Sequence, residues 1–558
     1  MPTSSHALSP ATVEPLPGVQ LPAAAWTKHA ERLLPLEAIG LVARLHRDFD
    51  AERRRLLAAR RERQRAWDAG ALPGWLPADV LPEARGDWRI PPLPADLLRR
   101  RVEITGPVNS RKMVIQMLSR GADGARADAA MLDFEDSMRP TWEGLLDGLD
   151  NALGAARGQL DFVQPAAAGQ PEKLYRLDPD DQPLTMFRVR GLHLAESNLE
   201  VDGRAASGGL VEAALLAFHT ARALVARGRT PKLYIPKCEH HLEARWWSSL
   251  LAAIEESLEL PRGTIRVTFL IETLPAAFQC EEILWEARER VTALNVGRWD
   301  KIFSDLKVLF EHPDRLLADR ATISLERPWM RAYAENLIRV CHRHGAFGMG
   351  GMAAFTPGKT AERRAEQTAK VIADKRFEAT LGHDGCWVSH PFFIAPAMSA
   401  FERDHQLDAS PAIEERPDLL PKGTPPHTLE GLRKNVRVGI AYLQGWNDGL
   451  GCIAWDDLME DLATLEISRA QVGQWLRHGV PLDDGPRVDR DLVATVFAEE
   501  LSRIESELVA AVPDAGAFVA IRDSFRAAAR EAEAIFTESP IRPFLAEASP
   551  RLSREHLA

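Results

Sequence analysis

A closed (β/α)8 barrel followed by an all-helical domain is the fold class that this sequence predicts, on three observations. Between Arg101 and Pro391, eight short apolar runs alternate with longer segments of helical period, the pattern of a parallel sheet whose crossovers are helices. No glycine-rich phosphate fingerprint follows the first run, which weighs against the alternative, an open doubly wound sheet. Beyond about Thr428 the strand pattern stops and four helix-period stretches follow.

The elements fall in this order. Residues 1–100 hold a Pro-rich lead-in, a helical stretch over about 30–69, and a Pro/Trp-rich connection that ends at Pro94. Candidate strands are 102–105, 129–134, 185–189, 232–236, 267–271, 292–296, 346–349 and 386–389. Helical patterns between them include 210–226, 242–257, 276–290, 329–342 and 361–375. A stretch crowded with Pro, Asp, Glu and Gly after Pro391 marks a second boundary. Helices are then expected over 429–446, 459–476, 488–512 and 518–536. The expected division is 1–100, 101–395 and 396–558.

At 558 residues the chain is long enough for several cores, and 45% hydrophobic with 27% charged residues is a globular composition. No run of 18 apolar residues occurs, so no membrane partner is expected. The first residues lack the basic-then-apolar order of a signal peptide. Five cysteines stand singly, without a CxxC pair, which argues for a reducing, cytoplasmic setting. Net charge is −11. The one basic run, Arg53 to Arg65, reads as a solvated, salt-bridging helix face rather than a nucleic-acid patch.

In a barrel of this kind the chemistry sits where strands end. The second strand runs into Asp133, Glu135 and Asp136; the third carries Arg188 and Arg190; the fourth ends in Lys237 and the fifth in Glu272. The sixth leads into Gly297, Arg298, Trp299 and Asp300, and His390 and Pro391 follow the eighth. Several carboxylates on one rim repel each other unless a cation sits among them. Mg²⁺ with one or two carboxylates plus substrate oxygens answers that need, and Glu272 with Asp300 is the best ligand pair. Otherwise each carboxylate merely caps a helix or pairs with an arginine. The glycine turn at Gly297 offers backbone N–H groups to an anion. Arg188 offers a fixed charge for a developing oxyanion or, alternatively, a salt bridge to Asp133 and Glu135. Arg190 is expected to point elsewhere and to matter less to the chemical step. Asp461, at a helix start, is by spacing alone most simply a complement to the helix dipole.

Read together, the segments resemble malate synthase, and more closely its isoform A type. The likeness rests on residues 101–107, Asp133 to Ser137, and Arg188-Val189-Arg190-Gly191-Leu192-His193. It continues through Ile271-Glu272-Thr273-Leu274-Pro275, Leu294 to Asp300, residues 345–355, Gly382 to Gly385 with Trp387, and Leu458-Met459-Glu460-Asp461 with Ile467-Ser468-Arg469. The resemblance implies a barrel with an N-terminal helical clasp and a C-terminal helical plug. It implies a glyoxylate-cycle enzyme that condenses acetyl-CoA with glyoxylate and hydrolyses malyl-CoA to (S)-malate and CoA. Mg²⁺ is the implied metal, with Mn²⁺ as a substitute. Arg188 and Asp461 are the implied catalytic pair, the latter as base; Glu272 and Asp300 are the implied metal ligands. Gly297, Arg298, Trp299, Glu135 and Asp136 are expected at the substrate, and Trp387 and Pro391 at the CoA. A malyl-CoA or citramalyl-CoA lyase type of aldolase, or an inactive barrel used as a binding module, is the alternative. After Cys452 the chain has Ile453-Ala454-Trp455 where the family usually has Val-Pro-Ile.

Overall fold

The computed structural model describes residues 12–166, 171–483, 485–511 and 514–552. Among them, eight parallel strands close into a barrel. They are β1 (Val102–Pro107), β2 (Ala129–Asp133), β3 (Leu184–Arg188), β4 (Lys232–Ile235), β5 (Arg266–Ile271), β6 (Val291–Val296), β7 (Phe347–Ala353) and β8 (Gly385–Val388). Each predicted run is one of these strands. The ring closes where Cys386 of β8 pairs with Val102 of β1. Every residue of β1, β2 and β6 is buried, as expected of a parallel strand covered on both faces.

A 33-residue helix, α1 (Leu36–Asp68), lies across the outside of the barrel. The outer ring includes α2 (Gly208–Ala226), α3 (His241–Ser257), α4 (Arg298–Val308), α5 (Pro328–His344) and α6 (Ala361–Leu381). α2 is long and apolar enough to cross a membrane by composition, but most of it is buried inside the protein. The basic run in α1 is not a wholly solvated face. Arg53 and Arg60 are buried: Arg53 donates to Asp50 and to the Leu192 carbonyl, and Arg60 to Glu243 and to the Lys237 carbonyl. They pin α1 to the barrel, while Arg54 and Arg55 fulfil the expectation of exposed ion pairing.

A four-stranded antiparallel sheet of Thr12–Leu16, Val19–Pro22, Ala195–Val201 and Arg204–Ser207 was not expected. Its strands are short, and Val19 pairs with Val201 across most of the first two hundred residues. The chain after residue 540 returns to the same sheet, where Ala195 bridges Ala548.

The C-terminal helices are α7 (Leu429–Asn447), α8 (Leu462–His478), α9 (Arg490–Ala511) and α10 (Ala515–Phe536). They share a core that includes Leu432, Val436, Trp475, Phe525 and Phe536. Strands do not stop at the barrel, however: Ile453–Trp455 and Leu458–Glu460 form a hairpin. Its turn residues, Asp456 and Asp457, take φ of 47° and 64°, the left-handed region that two-residue hairpin turns require. The helix expected from residue 459 therefore starts only after Asp461. This domain is seated on the barrel through the loop before α5. There Arg320 donates to Glu460, Ser468 and the Thr464 carbonyl, and Trp475 donates to the Leu317 carbonyl.

Candidate active site

The registers of β2 and β3 place Asp133 beside Arg188. Arg188 Nε and Nη2 each donate to one Asp133 oxygen at 2.6 Å, a bidentate fork that fixes the guanidinium plane. Asp133 also accepts the Glu135 and Ser137 backbone N–H groups and the Ser137 hydroxyl. Burial alone would raise its pKa, but the pairing with Arg188 outweighs burial and lowers it. The free edge of Arg188, Nη1, faces Glu135 at 3.5 Å and Asp136 at 3.8 Å, and the guanidinium lies 5.9 Å from the Trp387 ring centre. Arg190 turns away, donating to Glu212 and Glu196.

Glu135, Asp136, Glu272 and Asp300 are all buried on this rim. Burial and mutual repulsion raise the Glu135 and Asp300 carboxyls well above the usual range; Glu272 is raised too, by burial first. Both Glu135 oxygens and Asp300 Oδ1 lack a well-formed hydrogen bond. Lys237 is the cation among them, with Nζ 2.6 Å from Asp136, 3.1 Å from Glu135 and 3.2 Å from Asp300. Its burial would lower its own pKa, but these carboxylates hold it well above the ordinary lysine value. Repelling, under-bonded oxygens fit a hard dication of oxygen preference. Among the described residues no three Asp, Glu, His or Cys groups form a ready metal cage. Glu272 and Asp300 are the residues that would hold such an ion, with further oxygens coming from substrate and water.

Gly297, between β6 and α4, has φ of −86°, so backbone strain does not explain the glycine. Space does: a Cβ there would come within 2.5 Å of Glu272 Cβ and 2.7 Å of its Oε2. Instead of a loose turn, the segment opens α4, whose first N–H groups and dipole suit an anion. The buried Arg298 side chain donates to Asp374 and the Met352 carbonyl.

Asp461 enters from the other domain. It is the N-cap of α8, with a reciprocal capping box to Thr464, so the expected helix-end role is present. Yet the residue also lines one cavity of about 50 Å³ with Arg188, Glu272, Gly297, Arg298, Trp299, Asp300 and Trp387. Burial, then the nearby Asp136, pushes its carboxyl up to about 7. Glu135, Asp136 and Lys237 line an adjoining chamber with His193 and Phe544. Pro391 opens the short turn Pro391–Phe393 and lines neither cavity.

Three family models match along the chain: malate synthase N-terminal domain over residues 25–80, malate synthase TIM barrel domain over 184–416, and malate synthase C-terminal over 426–539. A malate synthase of Myxococcus xanthus is 44% identical over 502 residues, covering 88% of this chain and 90% of the relative. The chain belongs to the malate synthase family. Malate synthase A of Escherichia coli is similar at 42% identity over 488 residues, 86% of this chain and 89% of that one. Among solved structures, a Haloferax volcanii malate synthase ternary complex with pyruvate and acetyl-CoA aligns with a TM-score of 0.46. Its identity is 15%, over 68% of this chain and 91% of that chain.

The family's barrel model begins at residue 184, although β1 and β2 lie before it. Sequence reasoning named Lys237 only as the end of a strand. Its position in the left-handed region, φ of 52°, and its three carboxylate partners come from barrel closure, which brings β2, β4 and α4 to one point.

Proposed function

We propose that the chain condenses acetyl-CoA with glyoxylate and hydrolyses the resulting thioester to (S)-malate and CoA. The observation that carries this reading is Asp461, a carboxyl with a pKa of about 7, delivered by the helical domain into the cavity that holds Arg188, Glu272 and Asp300. A base matched to neutral pH is what removal of a weakly acidic methyl proton needs.

Asp461 takes the proton from the acetyl methyl carbon, and the electron pair moves onto the thioester oxygen. Arg188, locked by Asp133 so that one N–H edge remains free, stabilises that enolate oxygen as its charge develops. The enolate carbon then attacks the aldehyde carbon of glyoxylate as the aldehyde C=O pair moves onto its oxygen. Protonation of that alkoxide gives malyl-CoA. Water then adds to the thioester carbonyl and the C–S bond breaks, releasing CoA and malate. The N–H groups at the start of α4, after Gly297, orient the glyoxylate carboxylate. Trp387 walls the cavity beside Arg188, excluding water from the enolate. Glu272 and Asp300 would hold Mg²⁺, or Mn²⁺ in its place, which when bound would supply Lewis-acid polarisation of the aldehyde. Five unpaired cysteines, four of them buried, support a cytoplasmic setting.

The test is a product assay with purified protein, acetyl-CoA, glyoxylate and Mg²⁺. The reading expects stoichiometric free CoA and (S)-malate. Accumulation of malyl-CoA without hydrolysis would favour the lyase type, and no turnover would favour a binding module.

A further inference from the structure

Lys237 touches every carboxylate of the acidic rim at once. Its backbone N–H donates to Glu272 Oε1 at 2.7 Å. Its ammonium reaches Asp136 at 2.6 Å, Glu135 at 3.1 Å and Asp300 Oδ1 at 3.2 Å. Its carbonyl accepts from Arg60 of α1 at 2.7 Å, and Arg60 is itself forked onto Glu243. The residue is 5% exposed and holds a left-handed φ of 52°. A non-glycine residue keeps that conformation only where its surroundings over-determine it. Here the surroundings are the Arg60 clamp on one side of the peptide and Glu272 on the other.

We infer that Lys237 is a built-in counter-cation of the acidic rim. Its backbone positions Glu272; its ammonium offsets part of the rim's negative charge and yields Asp300 when a divalent cation enters. The inference rests on the assignment of Glu272 and Asp300 as metal ligands. Glu135 Oε2 and Asp300 Oδ1 both have Lys237 Nζ nearby but no well-formed hydrogen bond, so these two are the oxygens less committed to the ammonium, and of them only Asp300 is an assigned metal ligand. Asp136, at the shortest distance, retains the ammonium after the exchange. Lys237 is thus a positioning residue that also competes with the metal for one ligand.

The competing role separates this inference from a merely structural one. Removal of a structural lysine should loosen the site and weaken metal binding. Removal of a competing cation should tighten it, because a dication no longer meets a like charge a few ångströms away. Mn²⁺ binding to metal-free protein, read by electron paramagnetic resonance, should tighten about tenfold or more in Lys237→Met and Lys237→Gln. Lys237→Arg, which keeps the charge, should stay within about threefold of wild type. kcat should fall in both neutral variants, because Glu135 and Asp136 lose their shared tether. If the neutral variants fold only when Mn²⁺ is supplied, the metal has replaced the missing charge and the inference stands. Neutral variants that bind Mn²⁺ no more tightly than wild type, or that stay unfolded with Mn²⁺ present, overturn it. A wild-type chain that binds no Mn²⁺ overturns the metal assignment, and this inference with it.

Discussion

At the scale of single residues, the arginine that ends the third strand and the one two residues beyond it give the sharpest contrast. Arg188 presents one free N–H edge to the cavity because Asp133 holds the other. Lysine there keeps a charge but loses the fork, and kcat should fall by about 10²-fold or more, the scale of one lost oxyanion donor. Arg190→Ala should act on stability instead. It leaves Glu212 and Glu196 buried without their partner, a loss of about 3–5 kcal/mol read by denaturant unfolding. A larger kcat defect in Arg190→Ala than in Arg188→Ala would contradict this division. Gly297→Ala forces a methyl group against Glu272. Overpacking of this kind costs about 1–3 kcal/mol, and the displaced Glu272 should raise the metal concentration needed for half-maximal activity. The pH dependence follows from Asp461, whose carboxyl is raised to about 7. A base works unprotonated, so kcat/KM should fall on the acid side with a slope of one, about tenfold per pH unit. A bound dication lowers that pKa, so the limb should move to lower pH as Mg²⁺ rises. The residual rate of Asp461→Asn should lack the limb.

At the scale of elements, what was legible in the sequence depended on how local the cause was. β1 to β8 could be read because strands buried on both faces are continuous apolar runs. The sheet that pairs Val19 with Val201 could not, since nothing in either segment names its partner. The hairpin before Asp461 left a signal that the helical reading overrode: Asp456-Asp457 is a left-handed pair between two short apolar stretches. That misplacement matters, because the hairpin, not a helix, delivers Asp461 to its cap. Lys237 was visible as a strand end, but a strand-end lysine is ordinarily solvated; its three carboxylates come from elements far apart in the chain. The Arg60 clamp of α1 was hidden for the same reason inside a run of seven exposed-looking arginines. Arg60→Met should cost about 3–5 kcal/mol by stranding buried Glu243. Chemical denaturation measures this directly, and a cost below about 1 kcal/mol would mean that α1 is held by its apolar face alone.

At the scale of the whole molecule, the site is assembled from two domains. The barrel supplies Arg188, Glu272, Gly297 and Asp300, and the helical plug supplies Asp461. The plug is seated through Arg320 on Glu460 and Trp475 on the Leu317 carbonyl, so Asp461 and the barrel rim share one cavity. Excess chelator should abolish turnover by emptying the rim, and Mg²⁺ or Mn²⁺ should restore it; full turnover in chelator would remove Glu272 and Asp300 as ligands. The measurement that bears most directly on the two-domain account uses Asp461→Asn. Exchange of acetyl-CoA methyl hydrogens with deuterated solvent is followed beside glyoxylate-dependent CoA release, with a thermal melt and a Mn²⁺ titration as controls. The account predicts that exchange and CoA release fall together by about 10²–10⁴-fold, while Mn²⁺ still binds and the melt shifts only by the modest amount expected for an altered cap. CoA release near the wild-type rate would contradict it, and would leave Asp461 as nothing more than the cap of α8.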